Sequence, residues 1–288
     1  MKLVTYLHEG RTAIGALVDD VVRPFGEDLP DTMLALIALG DDGLRQAAEA
    51  ADRAEPIALA DVRLEAPLRP RNNVMCIGKN YRDHADEFAG SGFDSSQKQA
   101  VPDHPIVFTK ALSSVIAPGD PIDVTSDATG TSDYEGELAV VIGRGGRGIA
   151  AADAFDHVYG YTIVNDLTVR ELQKRHVQFF LGKSAATYCP MGPSLVTHDE
   201  VDDVTALWVR TTVNGEERQA APVADLIFDI PTLIETISAS VLLEPGDLIA
   251  TGTPAGVGIG FKPPRYLEPG DVIEVTIDGL GTLSNPTV

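Results

Sequence analysis

The segment Asp133-Tyr134-Glu135-Gly136-Glu137 carries three acidic side chains and runs directly into an apolar stretch. Side chains alternate between the two faces of a strand, so the sequence predicts that Glu135 and Glu137 point to the same side. Two adjacent carboxylates repel each other unless a cation lies between them. Oxygen ligands alone favour Mg²⁺, Ca²⁺ or Mn²⁺ over zinc. Taken alone, the pentapeptide also fits a solvated strand edge, which is the simpler interpretation.

A second group of polar residues begins at Asp166, where a predicted strand at 161–165 passes into a predicted helix at 166–180. The Asp166 side chain could cap that helix or supply a third metal carboxylate. Arg170 and Gln173 lie on the following turns, and helical spacing makes them face the same way as Asp166. A guanidinium in that place could bind a substrate carboxylate through two parallel hydrogen bonds.

A third candidate is the pair His84 and Glu87, which are neighbours on a predicted short helix at 82–88. A carboxylate beside an imidazole orients it and raises its basicity, as a general base requires. A surface histidine beside a glutamate is the alternative. Lys183 could bind an anion, and the glycine-rich stretch 251–260 could offer backbone N–H donors, although solvated lysines and structural turns are common.

These candidates need a scaffold, and from residue 72 onward the sequence predicts mainly strands. Asn214-Gly215, between two strand-like runs, is typical of a hairpin turn. Few helices are predicted, and this balance favours a mixed, mostly antiparallel β core. The strand candidates are residues 74–77, 105–108, 138–142, 161–165, 207–213, 248–250 and 272–277, and the helix candidates are 82–88, 166–180 and 225–241.

Residues 1–70 differ from the rest of the chain, because three short strand-like runs are followed by two helix-like segments at 32–39 and 42–54. The proline-rich stretch 66–70 is typical of a linker. The sequence therefore predicts a small N-terminal domain at 1–70 and a main domain at 71–288. The segment 89–104 is long for a connection inside a compact domain and is either a lid or a surface loop.

Composition limits the partners that the protein can have. The chain has 288 residues, with 43 acidic against 22 basic side chains and a formal net charge of −21. Such a field repels nucleic acids and anionic membranes, so neither is an expected partner. An anionic substrate would need a bound cation or well-placed Lys and Arg side chains. The sequence shows no long apolar stretch and no export signal, so we expect a cytoplasmic protein.

Taken in chain order, these residues form a series of motifs that resembles the fumarylacetoacetate hydrolase family. The resemblance covers the chain from about residue 72 to the C-terminus. Its motifs are Cys76-Ile77-Gly78-Lys79-Asn80-Tyr81 with His84 and Glu87, Pro105-Ile106-Val107-Phe108-Thr109-Lys110, Asp133-Tyr134-Glu135-Gly136-Glu137-Leu138, Gly160-Tyr161-Thr162 with Asn165, Asp166, Arg170 and Gln173, Gly182-Lys183-Ser184 with Pro190-Met191-Gly192-Pro193, and Thr251-Gly252-Thr253-Pro254-Ala255-Gly256-Val257.

The resemblance implies an α+β, predominantly β fold, a mixed β-sandwich roll with a small N-terminal α/β appendage, and commonly a homodimer. It implies one Mg²⁺ or Mn²⁺ ion, with Ca²⁺ able to substitute in crystals. The small-molecule substrate would be a 2-oxo or β-diketo acid. The residues that it implies are metal ligands Glu135, Glu137 and Asp166, catalytic residues His84, Glu87 and Lys183, and substrate-binding residues Tyr81, Arg170, Gln173 and Thr253.

The resemblance further implies an enzyme that passes through a metal-stabilised enolate. The intact His84–Glu87 pair favours a hydrolase that cleaves a C–C bond in an acylpyruvate or fumarylpyruvate, because hydrolysis needs a base that activates water. Two alternatives share the enolate step: isomerisation of a 2-hydroxymuconate-type diacid (5-carboxymethyl-2-hydroxymuconate or 2-hydroxyhepta-2,4-diene-1,7-dioate) and decarboxylation of oxaloacetate. A catalytically silent metal-binding protein is the remaining alternative.

Overall fold

The computed structural model of the protein describes residues 1–90 and 101–288. Most of the predicted segment 89–104 therefore lies outside the described residues. Within them, no helix combines the length and the apolar character that a membrane crossing requires.

The strands are β1 (Lys2–His8), β2 (Arg11–Val18), β3 (Val21–Pro24), β4 (Ile57–Ala58), β5 (Arg63–Leu64), β6 (Val74–Gly78), β7 (Ile106–Lys110), β8 (Val115–Ile116), β9 (Ser132–Asp133), β10 (Gly136–Ile142), β11 (Val158–Asn165), β12 (Thr168–Val169), β13 (Cys189–Thr197), β14 (Trp208–Val213), β15 (Glu216–Pro222), β16 (Leu248–Ala250), β17 (Val272–Ile277) and β18 (Gly281–Pro286). The α-helices are α1 (Met33–Ile37), α2 (Gly40–Arg53), α3 (Arg82–Ala89), α4 (Arg170–His176), α5 (Phe180–Lys183) and α6 (Ile230–Ser238).

Two sheets form the framework of the molecule. The larger follows the order β4-β3-β2-β1-β13-β11-β10-β16-β6-β7, and the smaller follows β15-β14-β17-β18. Within the larger sheet β16 pairs with β6 in parallel, and the short β8 pairs in parallel with β13, while the other strand pairs are antiparallel. The predicted α+β fold, predominantly β with mixed and mostly antiparallel pairing, is confirmed.

Strand β10 lies at the centre of this framework and is buried on both faces. Its side chains Leu138 and Val140 belong to a core cluster shared with Val209 of β14 and Val275 of β17, on the smaller sheet. The intervening side chains, such as Ala139, belong to a second cluster that includes α1 and α2. Burial of both faces explains why the apolar run after Glu137 is continuous rather than alternating.

The N-terminal strands continue the larger sheet, because β1 pairs antiparallel with β13, with Lys2 opposite Val196. Residues 1–70 thus share a sheet and a buried core with the rest of the chain. The domain boundary near residue 70 stays a prediction.

Two predicted elements have opposite outcomes in the structure. The Asn214-Gly215 hairpin is confirmed, since both residues have positive φ between β14 and β15. The single helix predicted at 166–180 is wrong. Thr168–Val169 instead form β12, which pairs with β9, and α4 starts only at Arg170. The helix then ends at His176, because the φ of 58° at the next residue, Val177, is incompatible with a continuing right-handed helix.

Gly136 permits the close contact between β10 and the smaller sheet. A Cβ at this position would lie 2.3 Å from Thr211 Oγ1 and 2.8 Å from Val275 Cγ1. We expect Gly136→Ala to lower the free energy of unfolding by about 1–3 kcal/mol, because either β10 or the smaller sheet must shift. Urea unfolding measures this loss. The matched control is Gly78→Ala, whose Cβ would meet its nearest atoms at an ordinary 3.6 Å. Equal stability of the two variants would contradict the prediction.

Candidate active site

One small cavity collects most of the predicted site residues. Among the described residues its free space is about 20 Å³, roughly the room that one water needs. The predicted residues that line it are His84, Glu135, Glu137, Arg170, Gln173, Lys183 and Thr253, and they are joined by Lys79, Phe88, Phe108 and Phe179.

Neighbouring strands bring the three predicted metal ligands together. Glu135 and Glu137 flank Gly136, which lies opposite Asn165 at the end of β11. Asp166 follows at once, and its backbone N–H donates to Glu135 O at 2.8 Å. Carboxylate oxygens of Glu135, Glu137 and Asp166 all lie within 4.8 Å of one another, and all three side chains are buried. This is the clustering that the period of two predicts for Glu135 and Glu137.

Two buried lysines hold this carboxylate cluster. Lys183 Nζ donates to Glu135 Oε2 at 2.6 Å and to Asp166 Oδ2 at 2.7 Å. Lys110 Nζ lies 2.6 Å from Asp166 Oδ1 and donates to Leu167 O at 2.9 Å. These contacts engage the Asp166 side chain with cations, and α4 begins four residues later, so Asp166 does not cap a helix.

The electrostatics of the cluster fit a divalent cation. Burial alone would raise the pKa of Glu135, but Lys183 and Arg170 outweigh it and lower that pKa to about 2. Glu137 behaves oppositely, because burial, Asp166 and Glu135 together raise its pKa well above the ordinary value. Without a metal ion, Glu137 therefore keeps a proton that a divalent cation could replace, and the oxygen-only donor set suits Mg²⁺ or Mn²⁺. Glu135, Glu137 and Asp166 are the residues that would hold the ion.

Arg170 forms the next layer of the site, and its buried guanidinium is held on two sides. Nε donates to Asp133 Oδ2 at 2.9 Å, while Nη1 contacts Glu135 Oε1 at 2.6 Å and donates to Gln173 Oε1 at 3.2 Å. Nη2 has no hydrogen-bond partner among the described residues. One N–H edge of the guanidinium therefore remains available for a ligand's oxygen.

The predicted His84–Glu87 pair lies on α3, which covers the cavity. His84 is 5% exposed, and its Nδ1 lies 3.4 Å from Glu87 Oε2. Glu87 also accepts from the backbone N–H of Gly256 at 3.1 Å. As a carboxylate, Glu87 can only accept, so the proton of a neutral imidazole belongs on Nδ1 and Nε2 is the basic atom.

The remaining predicted residues occupy different places. Thr253 lines the cavity, where its hydroxyl donates to Gly136 O at 3.0 Å and accepts from Gln219 at 2.7 Å. Tyr81 precedes α3 and instead lines an adjacent cavity with Arg82 and Ala255. Its buried hydroxyl has no hydrogen-bond partner among the described residues. A substrate contact by Tyr81 stays a prediction.

Besides the lining residues Lys79, Phe88, Phe108 and Phe179, two residues that bond to the predicted site residues were not predicted from the sequence. Lys110 and Asp133 lie within the quoted motifs, yet nothing in their spacing links Lys110 to Asp166 or Asp133 to Arg170. These contacts depend on which strands pair, so only residue type within a motif could have indicated them.

Comparisons with known proteins place this fold and site in a family. A sequence model described as fumarylacetoacetate hydrolase, C-terminal, matches residues 73–288. Oxaloacetate tautomerase YisK of Bacillus subtilis strain 168 is 50% identical over 269 residues, which cover 90% of this chain and 87% of that protein. The chain therefore belongs to the fumarylacetoacetate hydrolase family of enzymes, and the resemblance deduced from the motifs is confirmed.

Solved structures agree with this assignment. Fumarylacetoacetate hydrolase from the psychrophilic Exiguobacterium antarcticum is 42% identical with a TM-score of 0.86 and covers 100% of this chain and 99% of its own. Maleylpyruvate hydrolase from Sphingobium sp. SYK-6, solved with manganese(II) and pyruvate, is 32% identical with a TM-score of 0.81 and the same coverage. Metal binding in that relative agrees with the buried carboxylate cluster described here.

We expect Mn²⁺ to bind more tightly as the pH rises, up to the raised pKa of Glu137. Below that pKa the ion must displace a proton from Glu137, so its Kd falls by up to about tenfold per pH unit and then levels off. Isothermal titration calorimetry between pH 5 and 8 measures this dependence. Glu137→Gln should weaken binding by roughly 100-fold, whereas the control Glu268→Gln, at an exposed site, should bind like the wild type. A Kd independent of pH would count against this account.

Proposed function

We propose that the protein catalyses keto–enol tautomerisation of oxaloacetate or a closely related 2-oxo dicarboxylate, with Mg²⁺ or Mn²⁺. The observation that carries the proposal is the 50% identity to an oxaloacetate tautomerase across 90% of the chain, taken with the buried site described above. Tautomerisation belongs with the isomerase alternative of the sequence analysis. The hydrolase stays a prediction, as do the homodimer and the cytoplasmic location.

The charge balance of the site supports a dianionic substrate. The site contains four carboxylates and four cationic side chains, each at most 5% exposed. Because their numbers are equal, their formal charges cancel. A divalent cation adds two positive charges, which a dicarboxylate would neutralise in a pocket where unbalanced charge is costly. The eight side chains are Asp133, Glu135, Glu137, Asp166, Lys79, Lys110, Arg170 and Lys183.

Lys79 and Arg170 are the side chains that we assign to the two substrate carboxylates. Arg170 offers Nη2, which has no partner among the described residues. Lys79 lines the same cavity and has a φ of 55°, a left-handed conformation that few non-glycine residues adopt. Strain of this kind persists where the surroundings hold a side chain in a required place, which at a site is consistent with binding.

His84 carries the proton in this proposal. Its Nε2 takes a proton from C3 of the keto acid, and the C–H electron pair forms the C2–C3 double bond while the 2-oxo oxygen becomes an enolate oxygen. The imidazolium then gives that proton to the enolate oxygen, which yields the enol and restores the neutral His84 side chain. Glu87 keeps Nδ1 protonated and stabilises the imidazolium that forms. A divalent ion bound by Glu135, Glu137 and Asp166 would stabilise the negative charge that develops on the 2-oxo oxygen. The reaction needs no water, in keeping with the small free space of the cavity.

Hydrolysis of an acylpyruvate is the second candidate function. It is favoured by the 32% identity to a maleylpyruvate hydrolase over the whole chain, together with the His84–Glu87 pair, which could activate water instead of a carbon acid. The two functions differ in their products, because hydrolysis releases pyruvate and tautomerisation does not.

We expect His84→Asn to lower kcat for tautomerisation by roughly 10²–10⁴-fold, the usual contribution of a general acid–base, while Mn²⁺ binding is unchanged. Initial rates come from the loss of enol-oxaloacetate absorbance in the ultraviolet. The control His198→Asn, at an exposed site, should keep wild-type rates.

The same protein should be assayed for pyruvate release from oxaloacetate, acetylpyruvate and fumarylpyruvate. Loss of the enol without pyruvate supports the tautomerase. Metal-dependent pyruvate release from an acylpyruvate, without accelerated enol loss, would replace it with the hydrolase. Pyruvate from oxaloacetate alone would indicate a decarboxylase.

A further inference from the structure

Asp133 is fully buried beside the carboxylate cluster but is not one of its three members. Each of its oxygens accepts two hydrogen bonds. Oδ2 accepts from Arg170 Nε at 2.9 Å and from the backbone N–H of Ile259 at 3.0 Å. Oδ1 accepts from the backbone N–H groups of Gly258 at 2.6 Å and Tyr134 at 2.9 Å. These four donors fill the sites that a carboxylate offers, so Asp133 has no capacity left to bind a metal or substrate directly.

On one side, Asp133 sets the orientation of Arg170. A guanidinium is planar, so fixing Nε and Nη1 also fixes the direction of Nη2. Asp133 holds Nε, and Glu135 with Gln173 holds Nη1. Without Asp133, Nε would be buried without an acceptor and the guanidinium could turn about its remaining contacts.

On the other side, Asp133 holds the loop on which α3 rests. Gly258 and Ile259 belong to a short 3₁₀ helix, Gly258–Gly260. Residue Phe88 of α3 forms a small buried cluster with Val257 and Ile259. Glu87 of α3 accepts from Gly256 in the same loop. Asp133 is thus hydrogen-bonded both to Arg170 and to the loop against which α3, the helix that carries His84, packs.

The loop lies so close to Asp133 that residue 258 must be glycine. A Cβ at this position would lie 2.7 Å from Asp133 Oδ1 and 2.4 Å from Arg265 O. A side chain here would clash with both Asp133 and the Arg265 backbone and force the loop to shift, while the charged side chains of Asp133 and Arg170 are both retained.

We propose that Asp133 is a positioning residue that fixes both Arg170 and the 256–260 loop against which α3 packs. Substrate binding and the placement of His84 over the cavity then depend on one buried carboxylate. The proposal rests on the proposed function, in which Arg170 binds substrate and His84 transfers the proton. It predicts that loss of the Asp133 charge impairs binding and turnover while leaving the predicted metal ligands in place.

The test compares Asp133→Asn with the matched control Asp127→Asn. Asp127 also accepts four hydrogen bonds, from Thr129, Thr131 and Ser132, and none of these donors belongs to Arg170 or to the 256–260 loop. We expect Asp133→Asn to raise KM for oxaloacetate and to lower kcat by about 10–100-fold each, with the Kd for Mn²⁺ within threefold of wild type. Asp127→Asn should change neither kinetic constant.

Gly258→Ala separates the two connections and serves if Asp133→Asn does not fold. Because the substitution lies in the loop and retains the Asp133 and Arg170 side chains, kcat should fall about tenfold or more while KM changes less than threefold. Unchanged kcat in this variant, or unchanged kcat and KM in Asp133→Asn, would overturn the proposal. A parallel loss of Mn²⁺ affinity in Asp133→Asn would also overturn it, since the kinetic losses would then follow from the metal site.

Amide hydrogen exchange provides a measure that does not require the proposed reaction. In Asp133→Asn and Gly258→Ala, the amides of α3 and of residues 256–260 should exchange at least about tenfold faster than in wild type, with α6 unchanged. If wild-type protein does not tautomerise oxaloacetate but this acceleration occurs, the proposed function fails and the positioning role stands. Exchange of α3 at the wild-type rate would refute the link between Asp133 and α3.

Discussion

Burying Glu135, Glu137 and Asp166 within 4.8 Å of one another costs free energy that only nearby positive charge can offset. Lys183 bridges Glu135 and Asp166, and Lys110 neutralises the other side of Asp166. This arrangement explains why lysines with little exposure are found in an otherwise acidic protein. The raised pKa of Glu137 means that this buried carboxyl keeps a proton where no metal ion lies beside it. A divalent ion would take the place of that proton, so the proposed cofactor fits the charge that the fold already gathers here.

The sheet framework makes this arrangement rigid. Strand β10 is buried on both faces and packs directly against the smaller sheet at Gly136, so the carboxylates on either side of that glycine cannot move independently. The residues of the pentapeptide that begins at Asp133 have different roles. Asp133 and Tyr134 hold the 256–260 loop, Tyr134 by donating its hydroxyl proton to Gly256 O at 2.9 Å. Glu135 and Glu137 face the cavity, and Gly136 sets the distance between the sheets.

Features that depend on one element could be predicted from the sequence. Period-two alternation placed Glu135 and Glu137 together, and helical spacing placed His84 beside Glu87. Asp166 showed the limit of such reasoning, because a cap and a buried ligand have the same local pattern. Contacts between segments that are distant in the sequence could not be predicted. The Asp133–Arg170 bond joins residues 37 positions apart and exists because β9 pairs with β12, a register that no motif spacing encodes.

The strongly negative protein must still attract the proposed anionic substrate to a small cavity that α3 covers. With a net charge of −21, the protein repels an approaching dianion at long range. Attraction must therefore come from the cations that line the cavity, which act on the substrate only at short range. Helix α3 covers these cations through Phe88, which packs with Val257 and Ile259 and lies over the guanidinium of Arg170, and through the Glu87–Gly256 hydrogen bonds. Binding of a dianion is thus decided within the cavity itself, where the carboxylates and lysines stay fixed by the sheets.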